Sequence, residues 1–181
     1  MNETVSAVRV AVVQFDPQVG IQHSQANLEH SLELAREAAI NGANLIVLPE
    51  LANTGYLFGT RQEAFLHAEL IPEGPSMQAW LDFARKHQVY LAAGLAERDG
   101  VQLFDSAVLV GPGGFIGKYR KAHLWNREKL WFTPGNLGFP VFDTPIGRIG
   151  LLICWDIWFP EVPRLLSLQG ADIICLSLIH I

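Results

Sequence analysis

The sequence predicts an α/β or α+β layer fold, a mixed sheet with helices against it. Three patterns point there: strand-like and helix-like segments alternate early, hairpin patterns occupy the middle, and a strand, a helix and a strand return at the end. The chain has 181 residues, 50% of them hydrophobic, and no repeat, low-complexity tract or linker divides it. It therefore reads as one domain, 1–181, with enough apolar side chains for a substantial core.

Val8 to Phe15 carries no charge after Arg9, in the manner of a central strand covered on both faces. From Ser24 to Asn41, Leu28, Leu32, Ala35 and Ala39 recur on one helical stripe, which Asn41-Gly42 ends. Leu45 to Leu48 is wholly apolar and stops at Pro49, so the chain returns to the sheet and Glu50 stands just past its end. Pro75 to Gln88 repeats the helical pattern through Met77, Trp80, Leu81 and Ala84, and Val89 to Leu95 follows as a strand. Gly111-Pro112-Gly113-Gly114 turns the strand Leu103–Val110 into a partner at Phe115–Tyr119. Thr144-Pro145-Ile146-Gly147 joins Gly138–Phe142 to Ile149–Ile153 in a second hairpin, and a helix (Phe159–Gln169) and a strand (Asp172–Leu176) complete the series.

Composition narrows the function classes. The formal net charge is −5 and the basic residues are scattered, which argues against a nucleic-acid partner. No apolar run reaches the roughly 18 residues of a membrane span, and Met1 to Ala7 lacks the pattern of a signal peptide. The two cysteines, Cys154 and Cys175, form neither a disulfide framework nor a metal-ligand pattern, which suits the reducing cytoplasm.

The most informative stretch runs from Ile149 to Glu161. An apolar strand ends in Cys154 and gives way to a helix, a sharp turn whose backbone N–H groups could stabilise a thiolate. By itself a cysteine at a strand end is more often a buried structural residue, and Cys175, inside an apolar strand, reads that way. A nucleophilic cysteine needs a base that takes its proton and returns it to the departing amine. Of the six histidines only His123 lies near a strand end, and Glu50, held beside apolar side chains, suits the task better. Taken alone, Glu50 would also pass for a solvated loop carboxylate. Lys121 closes a run of cations leaving a strand and could face the negative charge that develops when an amide carbonyl is attacked. Lys118 and Arg120 read instead as a solvated basic edge that discourages strand pairing. Glu128 either holds Lys121 or the substrate, or pairs with Arg127 or Lys129 on a helix surface.

The order Glu50, Lys121, Glu128, Cys154 resembles that of the nitrilase superfamily of carbon–nitrogen hydrolases. Leu48-Pro49-Glu50 with Thr54-Gly55-Tyr56 is similar to the family's glutamate motif, Lys118 to Leu124 to its lysine motif, and Cys154-Trp155-Asp156 with Phe159-Pro160-Glu161 to its cysteine motif. The match runs from the first strand to Cys175. It implies an α-β-β-α sandwich, of which this chain would carry the N-terminal two-thirds or so, with neither metal nor organic cofactor. It implies Glu50 as general base, Cys154 as nucleophile, and Lys121 with the Trp155 N–H as partners of the oxyanion. Glu128, Tyr56 and Trp155 would position the substrate. Cys154-Trp155-Asp156 looks more like the amidase and carbamoylase branches than the Cys-Trp-Glu of nitrilases. The expected reaction is hydrolysis of a small non-peptide amide with release of ammonia. The alternatives are a nitrilase or N-carbamoyl amino acid hydrolase and, outside enzymes, a catalytically silent assembly or binding module. The resemblance further implies a small-molecule amide or nitrile as partner and a homodimer or higher homo-oligomer when full length. Family members continue beyond the last strand, and Leu178 to Ile181 does not resemble that continuation. The domain is thus expected to be incomplete at its C-terminus, with 178–181 a non-native tail.

Overall fold

The computed structural model describes residues 7–179, so the readings of Met1 to Ser6, and of His180 and Ile181 in the expected tail, lie outside the described residues. Two sheets form where the periodicity suggested one. In the first, β1 (Val10–Val12), β2 (Leu45–Val47) and β3 (Tyr90–Asp99) are parallel, and β4 (Gln102–Gly111) and β5 (Gly114–Arg120) continue it antiparallel, in the spatial order β1-β2-β3-β4-β5. In the second, β7 (Gly147–Ile153) lies between antiparallel β6 (Val141–Thr144) and parallel β8 (Ile173–Ser177). The helices are α1 (Ser24–Ile40), α2 (Arg61–His67), α3 (Pro75–His87) and α4 (Glu161–Leu168).

Side-chain alternation along the strands builds the layers. Ile46, Leu91, Ala93, Val108 and Val110 point to one face of the first sheet, where they pack with Leu28 and Ala35 of α1 and with Met77, Trp80 and Phe83 of α3. Their neighbours Leu45, Val47, Ala92, Ala107 and Leu109 point to the other face and meet Ile149, Leu151 and Ile153 of β7 and Cys175 of β8. Leu152, one step out of phase, turns away from the first sheet and packs with Val162 and Leu166 of α4. The result is an α-β-β-α sandwich. Both middle strands are apolar on both faces because each face is covered, and each fully buried Leu or Ile contributes about 1.5–3 kcal/mol.

The structure corrects several expectations. β1 is an edge strand and not a central one: Val10 and Val12 are exposed, because nothing described here packs beyond it. β3 runs on to Asp99 and forms its own hairpin with β4 through Gly100, its charged end held because buried Glu97 pairs with Arg120 of β5. Helix α2 was not foreseen; its seven residues are too few to show a clear period, although Thr60 caps it by accepting from the Glu63 N–H at 3.1 Å.

Candidate active site

Three strand ends converge, those of β2, β5 and β7, each delivering one side chain. Glu50 follows β2 across Leu48-Pro49 and lies so close to β3 that a Cβ at Gly94 would stand 2.6 Å from the Glu50 Cα. Lys121 is the first residue past β5, and its N–H donates to the Asp105 carbonyl of β4 at 2.8 Å. Cys154 is the first residue past β7 and opens a 3-10 turn, Cys154–Trp158. A second 3-10 turn, Asn126–Leu130, carries Glu128. Backbone strain gathers at the same places: Leu51, Asn126 and Cys154 have φ of 48°, 44° and 42°, a region that side chains with a Cβ avoid.

Lys121 stands at the centre. Its Nζ donates to Glu50 Oε1 at 2.6 Å and to Glu128 Oε1 at 2.7 Å, and lies 3.5 Å from Asp105 Oδ2. All four side chains are at most 1% exposed. Burial works against the lysine's charge, but Asp105, Glu50 and Glu128 together outweigh it and hold the ammonium well above its ordinary pKa. Tyr56 donates to Glu128 Oε1 at 2.5 Å and the Trp125 N–H to Glu128 Oε2 at 2.7 Å, so three donors fix this carboxylate. Glu128 is therefore no helix-surface residue paired with Arg127 or Lys129.

The thiol behaves otherwise than its turn suggested. Burial, and after it the negative Glu50, outweigh Lys121 and push the Cys154 pKa up to about 12. Cys154 is thus a neutral thiol at pH 7, and any nucleophilic role requires a base in contact with it. His123 is not that base: its Nδ1 lies 2.8 Å from Asp156 Oδ1 and its ring stacks on Phe159 with centroids 3.8 Å apart. Lys118 and Arg120 are not a solvated edge either. Arg120 is 5% exposed, ion-paired with Glu97 and Asp99 and seated over the Phe104 ring, and Lys118 shares Glu97.

Two residues to which the sequence analysis gave no role in the site belong to this arrangement. Asp156, fully buried, accepts from Tyr119 Oη at 2.8 Å and from the His123 N–H at 3.0 Å, tying the turn after Cys154 to the end of β5. Asp105 is fully buried beside Lys121. The available signal was a carboxylate inside the run Leu103–Val110, which is apolar apart from it and Ser106. Of the aromatic residues, Trp155 lies 6.1 Å from Trp125 and 5.3 Å from the exposed Trp158, whereas Trp131 packs with Phe58 in the core. A cavity of about 410 Å³ beside α2 and α3, lined by residues such as His67, Glu73 and Arg98, shares none of the cluster's residues.

The family profile described as carbon-nitrogen hydrolase matches residues 9–180. The chain belongs to this family. It is 52% identical to a nitrilase from Pyrococcus abyssi over 92% of its own length and 63% of the relative's. It is 33% identical to the N-carbamoylputrescine amidase of Solanum lycopersicum, over 96% of the chain and 59% of that protein. The crystal structure of a carbon–nitrogen hydrolase from Helicobacter pylori G27 superposes with a TM-score of 0.82 at 32% identity, over 94% of the chain and 59% of that structure. The chain thus spans about three fifths of the length of the relatives it matches.

Proposed function

We propose that the whole protein hydrolyses a non-peptide carbon–nitrogen bond of a small amide through a thioester on Cys154, releasing ammonia. The observation that carries the reading is the buried Lys121 ammonium held between Glu50 and Glu128 at the strand ends that deliver Cys154. In this reading Glu50 takes the thiol proton as sulfur attacks the amide carbon, and the C–N bond breaks as Glu50 returns that proton to the departing nitrogen. Lys121 and the Trp155 N–H face the oxyanion of the tetrahedral intermediate, where a fixed charge in a dry site is worth most. Glu50 then deprotonates the water that cleaves the thioester to a carboxylic acid. Glu128 holds the ammonium in place, and Tyr56, Trp155 and Glu128 position the substrate. No metal or organic cofactor has a part in this reading.

Two relatives favour neighbouring substrates. The higher identity to a protein named nitrilase supports a nitrile, and the one named N-carbamoylputrescine amidase supports a carbamoyl group. Two thiols without a disulfide support a cytoplasmic setting. Exposed Ile157, Trp158, Leu165 and Leu168 around α4 support a homodimer or higher homo-oligomer. The test is ammonia release from matched short amides, carbamoyl compounds and nitriles by the whole protein and its Cys154→Ala variant. Turnover of the amide that vanishes in the variant is expected. Retained turnover would overturn the cysteine mechanism, and preference for the nitrile would replace the amide.

A further inference from the structure

The buried cluster contains more acid than its cation can balance. One oxygen from each of Glu50, Asp105 and Glu128 lies within 4.8 Å of the others, and Lys121 is the cation placed among them. Three ionised carboxylates against one ammonium would leave a surplus of two negative charges in a pocket with almost no exposure, a state that burial disfavours strongly. Glu128 and Glu50 each accept a short hydrogen bond from Lys121, so each has a charged donor on one oxygen. Asp105 is different: among the described residues neither of its carboxyl oxygens has a hydrogen-bond donor, and Oδ2 only approaches Lys121 at 3.5 Å. The other oxygen of Glu50, Oε2, also has no donor among the described residues. With an oxygen of each carboxyl group within 4.8 Å of the other, a single proton between them would engage one oxygen of Asp105 and supply a donor to Glu50.

We propose that Asp105 is protonated in the resting protein and donates its hydroxyl to Glu50 Oε2, making it a positioning residue for the base. This inference rests on Glu50 having the role proposed above, while the proton itself can be observed independently. One added proton supplies the missing donor and halves the surplus charge, as in carboxyl pairs that share a proton because both cannot ionise at close range. It leaves Glu50 anionic and aimed, with Lys121 on one oxygen and Asp105 on the other. The charged and titratable groups around Asp105 act in the same sense on balance. Burial comes first, Glu50 and Glu128 add to it, and Lys121 alone opposes, so that the carboxyl stays well above its ordinary pKa. Tyr119 and Tyr56, the nearby phenols, and the thiol Cys154 are themselves pushed upward and stay neutral. The proton belongs to the pair, and its loss at high pH would set Asp105 against Glu50.

The experiment is an infrared difference spectrum of the whole protein at neutral pH, wild type minus Asp105→Asn and wild type minus Glu50→Gln, in light and heavy water. A band of a protonated carboxyl group that shifts in heavy water and is lost in both variants is expected. Its absence from the wild type, or its persistence in Glu50→Gln, would overturn the shared proton whether or not any amide is turned over. The kinetic counterpart is the pH profile of kcat/KM for an amide substrate. Its alkaline limb should move to higher pH in Asp105→Asn, because an amide cannot ionise. An unmoved limb would overturn the positioning role even where the band is present, while a lack of turnover in the wild type would count against the proposed reaction and leave the spectroscopic result standing.

Discussion

Arg120 and Lys121 are consecutive residues at the end of β5, both buried, and each sits in a cluster of acids, yet the two clusters are built on opposite principles. Around Arg120 everything is paired. Glu97 accepts from Lys118, from Arg120 and from Ser106, while Arg120 also reaches Asp99 and Asn136, so two cations meet two carboxylates. Around Lys121 one cation meets three carboxyl groups, and the unpartnered oxygens belong to Glu50 and Asp105. The first cluster is saturated and can only hold strands together. The second holds more acid than its cation can balance beside a thiol, at the cost of stability, which is the arrangement that a shared proton and proton transfer require.

Breaking the saturated cluster should cost the fold most. Arg120→Ala strips buried Glu97 of two charge-assisted hydrogen bonds and leaves it Lys118 and Ser106, and a loss of about 3–5 kcal/mol in denaturant unfolding is expected. A change within about 1 kcal/mol would show that the pairing around Glu97 is dispensable. Gly94→Ala comes next, since its methyl group would strike the Glu50 backbone. It should cost about 1–3 kcal/mol and lower turnover with it, because the base is displaced. Tyr56→Phe removes one of the donors on Glu128 and should cost about 0.5–1.5 kcal/mol, with its effect on turnover larger than on unfolding.

The two clusters should also respond to pH, and with opposite sign. Burial would raise the Glu97 carboxyl, but hydrogen bonds from Arg120, Lys118 and Ser106 overcome it and hold the pKa below the ordinary 4.5. Its contribution is therefore present above pH 4.5 and lost as pH falls through the depressed value, so Glu97→Gln should flatten the acid side of the stability curve. Asp105 is raised above its ordinary 3.8, so its contribution is full below that pH and lost as pH rises toward the folded value. Asp105→Asn should therefore be more stable than wild type at neutral pH, with the difference fading toward pH 4 in matched thermal unfolding curves. Identical curves would contradict the assignment of charge in both clusters.

The sequence made the layers legible wherever burial on both faces leaves an unbroken apolar run, as at Leu45–Leu48 and Ile149–Ile153, and wherever a glycine-rich turn marks a hairpin. It could not show that β1 lies at an edge, because an edge strand packed on one face and a central strand differ only in what lies beside them. The residues Glu50, Lys121, Glu128 and Cys154 were visible through their order and local motifs, and the structure gathers them. Asp105 and the reversal of Arg120 from solvated edge to buried ion pair were hidden for one reason: the sign of a charged residue in a strand is readable, but its partner comes from another strand.

Cys154 and Cys175 offer the sharpest contrast, since burial pushes both thiols up to about 12 and only Cys154 has Glu50 acting on it. The direct measurement is the rate at which iodoacetamide labels Cys154 in the whole protein at neutral pH, read by peptide mass spectrometry, in wild type and in Glu50→Gln. If Glu50 takes the thiol proton during attack, the variant should label Cys154 more slowly by about a hundredfold or more, even though losing the Glu50 charge by itself favours the thiolate, with Cys175 unchanged. Equal or faster labelling of Cys154 in the variant would contradict the assignment of Glu50 as its base.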